Sequence, residues 1–597
     1  MPAVRRWLAA LAALWLACGA GIAADLDKTL RVCFPIAETG FDPAGATDLY
    51  SNQVNRAIFD PLYSYAYLTR PYTLVPNTAA GMPEVSADGK TWTIRVRPGI
   101  WFADDPAFKG GRRELTAADY VYSWKRLLDP KILSTSSDVF DETVVGAAEA
   151  IAAAKKAGRF DYDAKIEGLQ AVDRYTIRIK LTRPDYDLQI ALAGVATAAV
   201  AREVIEAYAD PGGRAMANPV GTGPYLLKQW RRGQKITLEA NPNFRDEQFP
   251  ESVDPADQAV VAQMRGKRLP AIGRIEISIL EEANPRLLAF ESRDLDYVDV
   301  PPELIWNVLD GDKRLRHRFV ERGVSLWRGL RPAIRFTYFN MDDPVVGGYA
   351  KEKIALRRAI GMAYNTDEEA RVVWQGQAEP ATQFLPPHVF GYDPAQRDLA
   401  RYDVATAKAL LDRFGYLDRD GDGWRDLPDG KPFTLVVSSP PTTQERQTDE
   451  LWKKNMAAVG LRVDFNKQKW PDLLKAGRLG KLQMFTLGNI ANSTNGYGYF
   501  SLLWGKQAGF SNIARFRLPE YDRLYEQGLP LPNGPERLKL MRRMSDLVNA
   551  YAPWKFGVYR YENVVVHPWV QGYKHSVFNA HFWKYYDVDL ARRAAAK

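Results

Sequence analysis

The stretch that most constrains the fold is residues 218–244, NPVGTGPYLLKQWRRGQKITLEANPNF. Gly221 and Gly223, followed by Pro224, predict a sharp turn, because glycine tolerates positive φ and proline restricts its own φ. Residues 225–230 then predict a strand. Gly233 marks a reversal, and alternating apolar and polar residues over 235–240 predict a second, half-buried strand. The segment therefore predicts a glycine-rich turn that leads into a β-hairpin, a combination that is common in proteins of many kinds.

The composition is that of a large globular protein. At 597 residues, the chain is long enough for more than one domain. Hydrophobic residues make up 46% and charged residues 25%, which gives no sign of disorder. Aromatic residues reach 12%, which fits either a large core or a cleft that stacks on a ligand. The net charge of +8 is not concentrated in a basic run interleaved with aromatics, so we expect no nucleic-acid partner.

The first residues have the pattern of a secretory signal peptide. Arg5 and Arg6 precede an apolar run over residues 7–17, and small residues follow up to Ala24. This order of charged, apolar and small residues predicts export and cleavage after Ala23 or Ala24. We therefore assign residues 1–24 to a signal peptide and expect the protein to be periplasmic.

Cys18 offers an alternative end for the leader, a lipoprotein site. Such a site needs Leu three positions before the cysteine and small residues between them. Here Trp15 and Leu16 occupy those places, so we favour the ordinary signal peptide over a lipid anchor. Once Cys18 is removed, Cys33 is the single remaining cysteine, and an internal disulfide is impossible.

Helices and strands alternate along the chain. An Asp-Gly turn at residues 87–90 predicts a hairpin, and a helix is predicted over 115–129, where Thr116 and Asp119 form a weak capping box. Further strands are predicted over 334–340 and 558–566. This alternation favours a layered α/β fold.

Three segments resemble the family 5 extracellular solute-binding proteins, the peptide-type receptors of ABC importers. The first is the N-P-x-G-T-G-P-Y signature with its later N-P-x-F, which the chain fills with Asn218, Pro219, Gly221, Thr222, Gly223, Pro224, Tyr225, Asn241, Pro242 and Phe244. The second is residues 91–130, and the third is the end of the chain from residue 558. The resemblance extends with gaps from about residue 28 to 590.

The resemblance implies a two-lobed α/β periplasmic-binding-protein fold of the large peptide-binder type, with an inserted subdomain and a hinge between the lobes. The division that it implies is lobe I from 25–70, 216–324 and 556–597, the inserted subdomain of lobe I at 71–215, and lobe II at 325–555. It also implies a monomer that needs no cofactor. The implied function is to capture a peptide or peptide-like solute in the interlobe cleft and deliver it to an inner-membrane ABC permease.

Other classes of function stay open from the sequence alone. An exported enzyme of unknown type is one alternative, although the chain has no G-x-S-x-G, Walker-type or H-E-x-x-H motif. A receptor for a non-peptide solute, such as a sugar or a haem-like ligand, is another. A receptor that serves signalling is a third.

The candidate ligand-binding segment is residues 484–500. In peptide-binding relatives this place resembles G-W-x-A-D-Y, and its Asp pairs with the α-amino group of the peptide. Here Asn489 replaces the Trp and Asn492 replaces the Asp, so the charge that a buried ammonium needs is missing. The resemblance therefore implies a ligand without a free α-amine, or another acid in that role. The candidate cleft residues are Asn489, Asn492, Asn495, Tyr497, Tyr499 and Trp504; for the aromatic residues, simple core packing is the alternative.

One acidic turn has the spacing of a calcium loop. Asp418, Asp420 and Asp422 stand at positions one, three and five, and Gly423 at six. Asp429 holds position twelve in place of the usual Glu. We therefore predict a structural calcium site at these four aspartates, with an ordinary acidic turn as the alternative.

Overall fold

The structure is a computed structural model that describes residues 24–491, 493–578 and 582–596. Nearly all of the predicted signal peptide, including Cys18, lies outside these residues, and so does Asn492. Among the described residues, no helix has both the length and the apolar content needed to cross a membrane.

The first lobe is built on a four-stranded sheet with the order Asp25–Phe34, Ile272–Ile279, Lys235–Ala240 and Tyr225–Arg231. The first two strands run parallel, and the others pair antiparallel. Leu30, Val32 and Phe34 alternate along the first strand and are buried, as the period of a strand with one core face requires. The predicted hairpin after the glycine-rich turn is confirmed.

The glycines of the signature act through close packing. Neither Gly221 nor Gly223 has a positive φ, so the predicted reason for them was wrong. A Cβ on Gly221 would lie 2.0 Å from the carbonyl oxygen of Ile58, at the end of the helix Leu49–Ile58. The Gly223 N–H donates to that same oxygen at 2.8 Å. The signature therefore fixes the hairpin against a helix end at a distance that no side chain allows.

The inserted subdomain has its own four-stranded antiparallel sheet, in the order Glu84–Val85, Thr91–Arg95, Thr176–Lys180 and Leu169–Ala171. The predicted Asp-Gly hairpin and the helix Ala117–Leu128 are confirmed, with Asp119 accepting from the Thr116 N–H at 2.7 Å. Arg126 of this helix reaches Asp42 of the first lobe at 2.7 Å, and both side chains are almost fully buried. This ion pair joins the subdomain to the lobe.

The second lobe is built on a five-stranded sheet with the order Val463–Lys467, Leu435–Ser439, Met484–Ile490, Ala333–Phe339 and Trp554–Phe556. The first three strands pair in parallel and the other pairs are antiparallel, so the sheet is mixed. The helix Thr443–Ala457 connects Leu435–Ser439 to Val463–Lys467.

Two chain segments cross between the lobes. Ser325–Leu330 pairs with Val558–Val566 in a hinge sheet that also contains Tyr297–Asp299 and Ala378–Pro380. The first segment continues as Ala333–Phe339, and the second follows from Trp554–Phe556, so both enter the sheet of the second lobe. Two adjacent crossings of this kind give two lobes a common bending axis. The prediction of a two-lobed α/β fold with a hinge is confirmed.

The remaining strands form three short pairs: Tyr63–Tyr65 with Leu74–Pro76, Glu247–Gln248 with Arg268–Leu269, and Val570–Gln571 with Asp587–Val588. The other helices are Ala147–Ala157, Leu188–Ala191, Arg202–Tyr208, Gln258–Met264, Ala283–Glu291, Ile305–Val308, His317–Val320, Lys351–Ala363, Thr366–Val372, Val404–Arg413, Trp470–Arg478, Pro519–Gly528, Pro535–Tyr551 and Leu590–Ala596. Asn365 caps the helix Thr366–Val372, because its side chain accepts a hydrogen bond from the Glu368 N–H.

Candidate functional site

A cleft of about 1240 Å³ lies between the lobes, with the hinge strands as its floor. Its walls come from the helix Leu49–Ile58 and the inserted subdomain on one side, and from residues 490, 491 and 493–511 of the second lobe on the other. The cleft is large enough for a ligand of several residues or a flat ring system.

Direct polar contacts join the lobes at the mouth of the cleft. Arg537 of the second lobe binds Asp187 of the inserted subdomain with two parallel hydrogen bonds of 2.9 and 2.6 Å. The Thr494 N–H donates to the hydroxyl of Tyr65 at 3.0 Å. The structure therefore has the two lobes in contact over the cleft.

One end of the floor is a closed ion-pair cluster. Arg331 lies 2.6 Å from Asp299 and 3.3 Å from Glu562. Burial opposes ionisation of Glu562, but Arg331 and then His575 outweigh it and lower its pKa. Burial raises the pKa of Asp299, and the charge of Glu562 adds to this although Arg331 opposes it. The two carboxylates thus share one guanidinium.

Arg560 also lies on the floor of the cleft. It precedes Glu562 by two residues on the same strand and lines the cleft beside Trp374. Its guanidinium carbon lies 5.2 Å from the centre of the Trp374 ring. The indole N–H of Trp374 donates to Glu369 at 3.2 Å, which fixes the ring under the arginine.

The wall of the second lobe is aromatic. Tyr497 stacks on Tyr525 with ring centres 5.3 Å apart, and its hydroxyl donates to the carbonyl oxygen of Tyr525. The ring of Trp504 lies 5.0 Å from Tyr525. The indole nitrogen of Trp504 is buried and has no hydrogen-bond partner among the described residues. These rings give a rigid apolar surface with one donor left over.

The predicted site residues divide into three groups. Asn495, Tyr497 and Trp504 line the cleft. Asn489 and Tyr499 do not line it: Asn489 is half-buried in the strand Met484–Ile490, and Tyr499 packs edge-on against Phe384 in the core. Asn492 lies outside the described residues. Asn495 also has a local structural role, because its side-chain oxygen accepts from the Gly498 N–H at 3.0 Å.

The predicted calcium loop comes together only in part. Asp418, Asp420 and Asp422 are exposed and place carboxylate oxygens within 4.8 Å of one another. Asp429 is not in this group and pairs with Lys431 at 2.8 Å, while Asp422 pairs with Arg462 at 2.8 Å. The calcium site stays a prediction, which Tb³⁺ luminescence excited through the adjacent Trp424 would test.

Reasoning from sequence missed the whole floor of the cleft. Asp299, Arg331, Arg560 and Glu562 are far apart in sequence and meet where the hinge strands pair. A signal was present in the strand at 558–566, where two charged residues interrupt an otherwise apolar and aromatic run. Charges at alternate positions of a central strand need a polar surface, and the cleft provides it.

Two lobes, a double crossing and a lined cleft between them define the class of periplasmic solute receptors that close around a ligand. The family model for "Bacterial extracellular solute-binding proteins, family 5 Middle" matches residues 73–511, and the chain belongs to this family.

Known relatives cover nearly the whole chain. "Di/tripeptide-binding protein 2" of Pseudomonas aeruginosa is 26% identical over 546 residues, 88% of both chains. "Heme-binding protein A" of Haemophilus influenzae is 24% identical over 557 residues, 92% of this chain and 91% of that protein. The solved structure of NikA from Brucella suis in complex with Fe(III)-EDTA superposes with a TM-score of 0.72 at 17% identity, over 94% of this chain and 100% of that one.

Proposed function

We propose that this protein is the periplasmic receptor of an ABC importer, that it binds short peptides in the interlobe cleft and that it delivers them to an inner-membrane permease. The observation that carries the proposal is the cleft itself, which combines an aromatic wall with charges of both signs at its floor. A peptide offers the matching groups: side chains for the aromatic wall and charged termini for the floor. The names of relatives such as the di/tripeptide-binding protein support this choice of ligand.

We also propose that the receptor acts as a monomer and without catalysis. Residues 1–24 are removed on export, with no lipid at Cys18. The lobes divide as stated above, with lobe II at 325–555. The chain passes between the hinge sheet and the sheet of the second lobe at residues 331–332 and again at residue 557, close to those limits.

The absence of an aspartate at position 492 narrows the peptide class. A peptide with a blocked or modified amino terminus needs no carboxylate at this sequence position, whereas a free ammonium needs a carboxylate elsewhere in the cleft. Asp299 is a carboxylate that lines the cleft.

Native mass spectrometry of protein purified gently from the periplasm tests the proposal. We expect an extra mass that fits a peptide and that is lost on partial unfolding. A thermal-shift screen of free peptides, capped peptides, sugars and haem follows. A shift with sugars or haem and none with peptides would refute the peptide assignment, and no shift with any ligand would refute the receptor role.

A further inference from the structure

Arg560 is a charged side chain of the cleft floor. It is half-buried on the hinge strand, and no carboxylate among the described residues lies within ion-pair distance of it. Its guanidinium group makes no hydrogen bond to any described residue and stacks only on Trp374. Withdrawing a cation from water without such partners costs free energy. An anion that binds to the guanidinium would therefore stabilise it.

The charges near Arg560 also favour the binding of an anion. Burial lowers its pKa to about 10, and the positive charges of Arg331 and Arg335 lower it further than Asp299 and Glu562 raise it. Those two arginines are engaged elsewhere: Arg331 as described above, and Arg335 with Glu445 at 2.8 Å. Arg560 remains charged at neutral pH, and the site favours the arrival of an anion.

Two other arginines of the cleft, Arg286 and Arg183, differ from Arg560. Arg286 donates to the carbonyl oxygens of Leu280 and Glu281 at 3.0 and 2.8 Å. Arg183 lies in the same loop as Asp185, whose pKa is raised by burial and by Asp187 but lowered by Arg183. Arg183 thus has acidic neighbours in its own loop, whereas the acidic neighbours of Arg560, Asp299 and Glu562, act on it less than Arg331 and Arg335 do.

We infer that Arg560 binds a carboxylate of the ligand at the floor of the cleft. Guanidinium and carboxylate form paired, charge-assisted hydrogen bonds, and the fixed Trp374 ring holds the planar donor in one orientation. The inference rests on the proposed function only for the place of the ligand. A carboxylate reaches the floor from the carboxyl terminus of a peptide or from the propionate of a porphyrin, and the two sources share this chemistry.

The test compares ligands that differ only in that group. The probes are a mixed tripeptide library and the same library with C-terminal amides, and haemin and its dimethyl ester. Wild type, Arg560→Gln and Arg560→Lys are screened by thermal shift and native mass spectrometry, and affinities are measured by calorimetry for the tightest binder. We expect wild type to prefer the free acid by about tenfold to a hundredfold, the range for a hydrogen bond between charged groups.

The two variants separate the effect of Arg560 on ligand binding from its effect on the stability of the fold. Arg560→Gln removes a charge that other arginines repel, so its unfolding temperature should equal or exceed that of wild type. It should bind acid and amide, or acid and ester, equally well. Arg560→Lys keeps the charge and should keep part of the preference, because an ammonium lacks the paired geometry.

Each outcome decides the inference. A preference for acid over amide or ester that Arg560→Gln abolishes supports it, and the preferred library identifies the source. A preference for haemin over its dimethyl ester, with no preference between the two peptide libraries, would support the role of Arg560 and refute the peptide function. Equal binding of acid and blocked form by wild type, or a preference retained in Arg560→Gln, would overturn the inference. No binding of any probe would overturn the site and the proposed function together.

Discussion

The ion pair between Arg537 and Asp187 is the contact whose removal should most change closure of the lobes. The two residues are 350 positions apart and belong to opposite sides of the cleft mouth. The side chain of Arg537 is 1% exposed and that of Asp187 is 20% exposed. Arg537→Met removes the charge and keeps most of the volume, so the change tests the pairing with little loss of packing.

The magnitude follows from burial and geometry. Removing one partner of a buried ion pair costs about 3–5 kcal/mol, because the other charge stays uncompensated. Asp187 is partly exposed and regains water when the lobes part, so we expect a smaller cost than that range, about 2–3 kcal/mol against the closed state. At about 1.4 kcal/mol for each factor of ten, the ratio of closed to open molecules should fall roughly 30-fold to 150-fold.

Two other contacts of Arg537 stay within the second lobe. Its guanidinium carbon lies 4.0 Å from the centre of the Tyr497 ring, and Nη1 donates to the side-chain oxygen of Asn533 at 3.0 Å. Their loss lowers the stability of that lobe but does not act on closure. The unfolding temperature and the degree of closure therefore report different parts of the substitution.

The assay is single-molecule fluorescence transfer between labels on the two lobes, with small-angle scattering as a label-free check. Arg543→Met is the matched control, since it makes the same change on the same helix. Arg543 pairs with Glu520 of the same lobe at 2.6 Å and is 55% exposed, so its loss costs at most about 1 kcal/mol. Arg537→Met should lower the fraction of closed molecules. The apparent dissociation constant of the ligand should rise by the factor by which this fraction falls, because only closed molecules hold the ligand fully.

Equal closed fractions in wild type, Arg537→Met and Arg543→Met would refute the reasoning. So would an additive loss in the double variant Arg537→Met with Asp187→Asn, because partners in one contact must couple. We expect the double variant to be no more open than Arg537→Met alone.

Three more predictions concern stability. Burial lowers the pKa of His567 to about 4 from a reference of 6.5, so the unfolded state binds more protons and stability falls by about 3 kcal/mol as the pH drops from about 6.5 to 4; His567→Phe should flatten this fall in denaturant titrations. Gly221→Ala should cost about 3 kcal/mol or more, because its Cβ would meet a backbone oxygen, whereas Gly81→Ala meets nothing within 4 Å and should stay within about 0.5 kcal/mol in thermal melts. Arg126→Met leaves Asp42 buried and unpaired and should cost about 3–5 kcal/mol, and a smaller loss in chemical unfolding would contradict the burial of that pair.

The sequence by itself determined the elements and the family. The strand at 558–566 was predicted with the bounds that the structure shows, because apolar alternation and β-branched residues act locally. The helix at 117–128 began at its predicted cap for the same reason. The glycine signature identified the fold even though the reason assigned to it was wrong: the need for Gly221 comes from Ile58, which is distant in sequence.

Only the tertiary structure decided which side chains meet in the cleft. Tyr497 and Tyr499 look alike in sequence, and the short helical turn Tyr497–Leu503 buries both in the core of the second lobe, but only Tyr497 also borders the cleft. The partners of a charge are equally invisible along the chain: Arg331, which directly follows the hinge strand Ser325–Leu330, pairs with two carboxylates. Arg560, within the hinge strand Val558–Val566, forms no ion pair with any residue that the structure describes. Burial and pairing depend on chain segments that the fold brings together. The local sequence pattern therefore determines the strands, whereas the way in which the chain crosses between the lobes determines which side chains form the site.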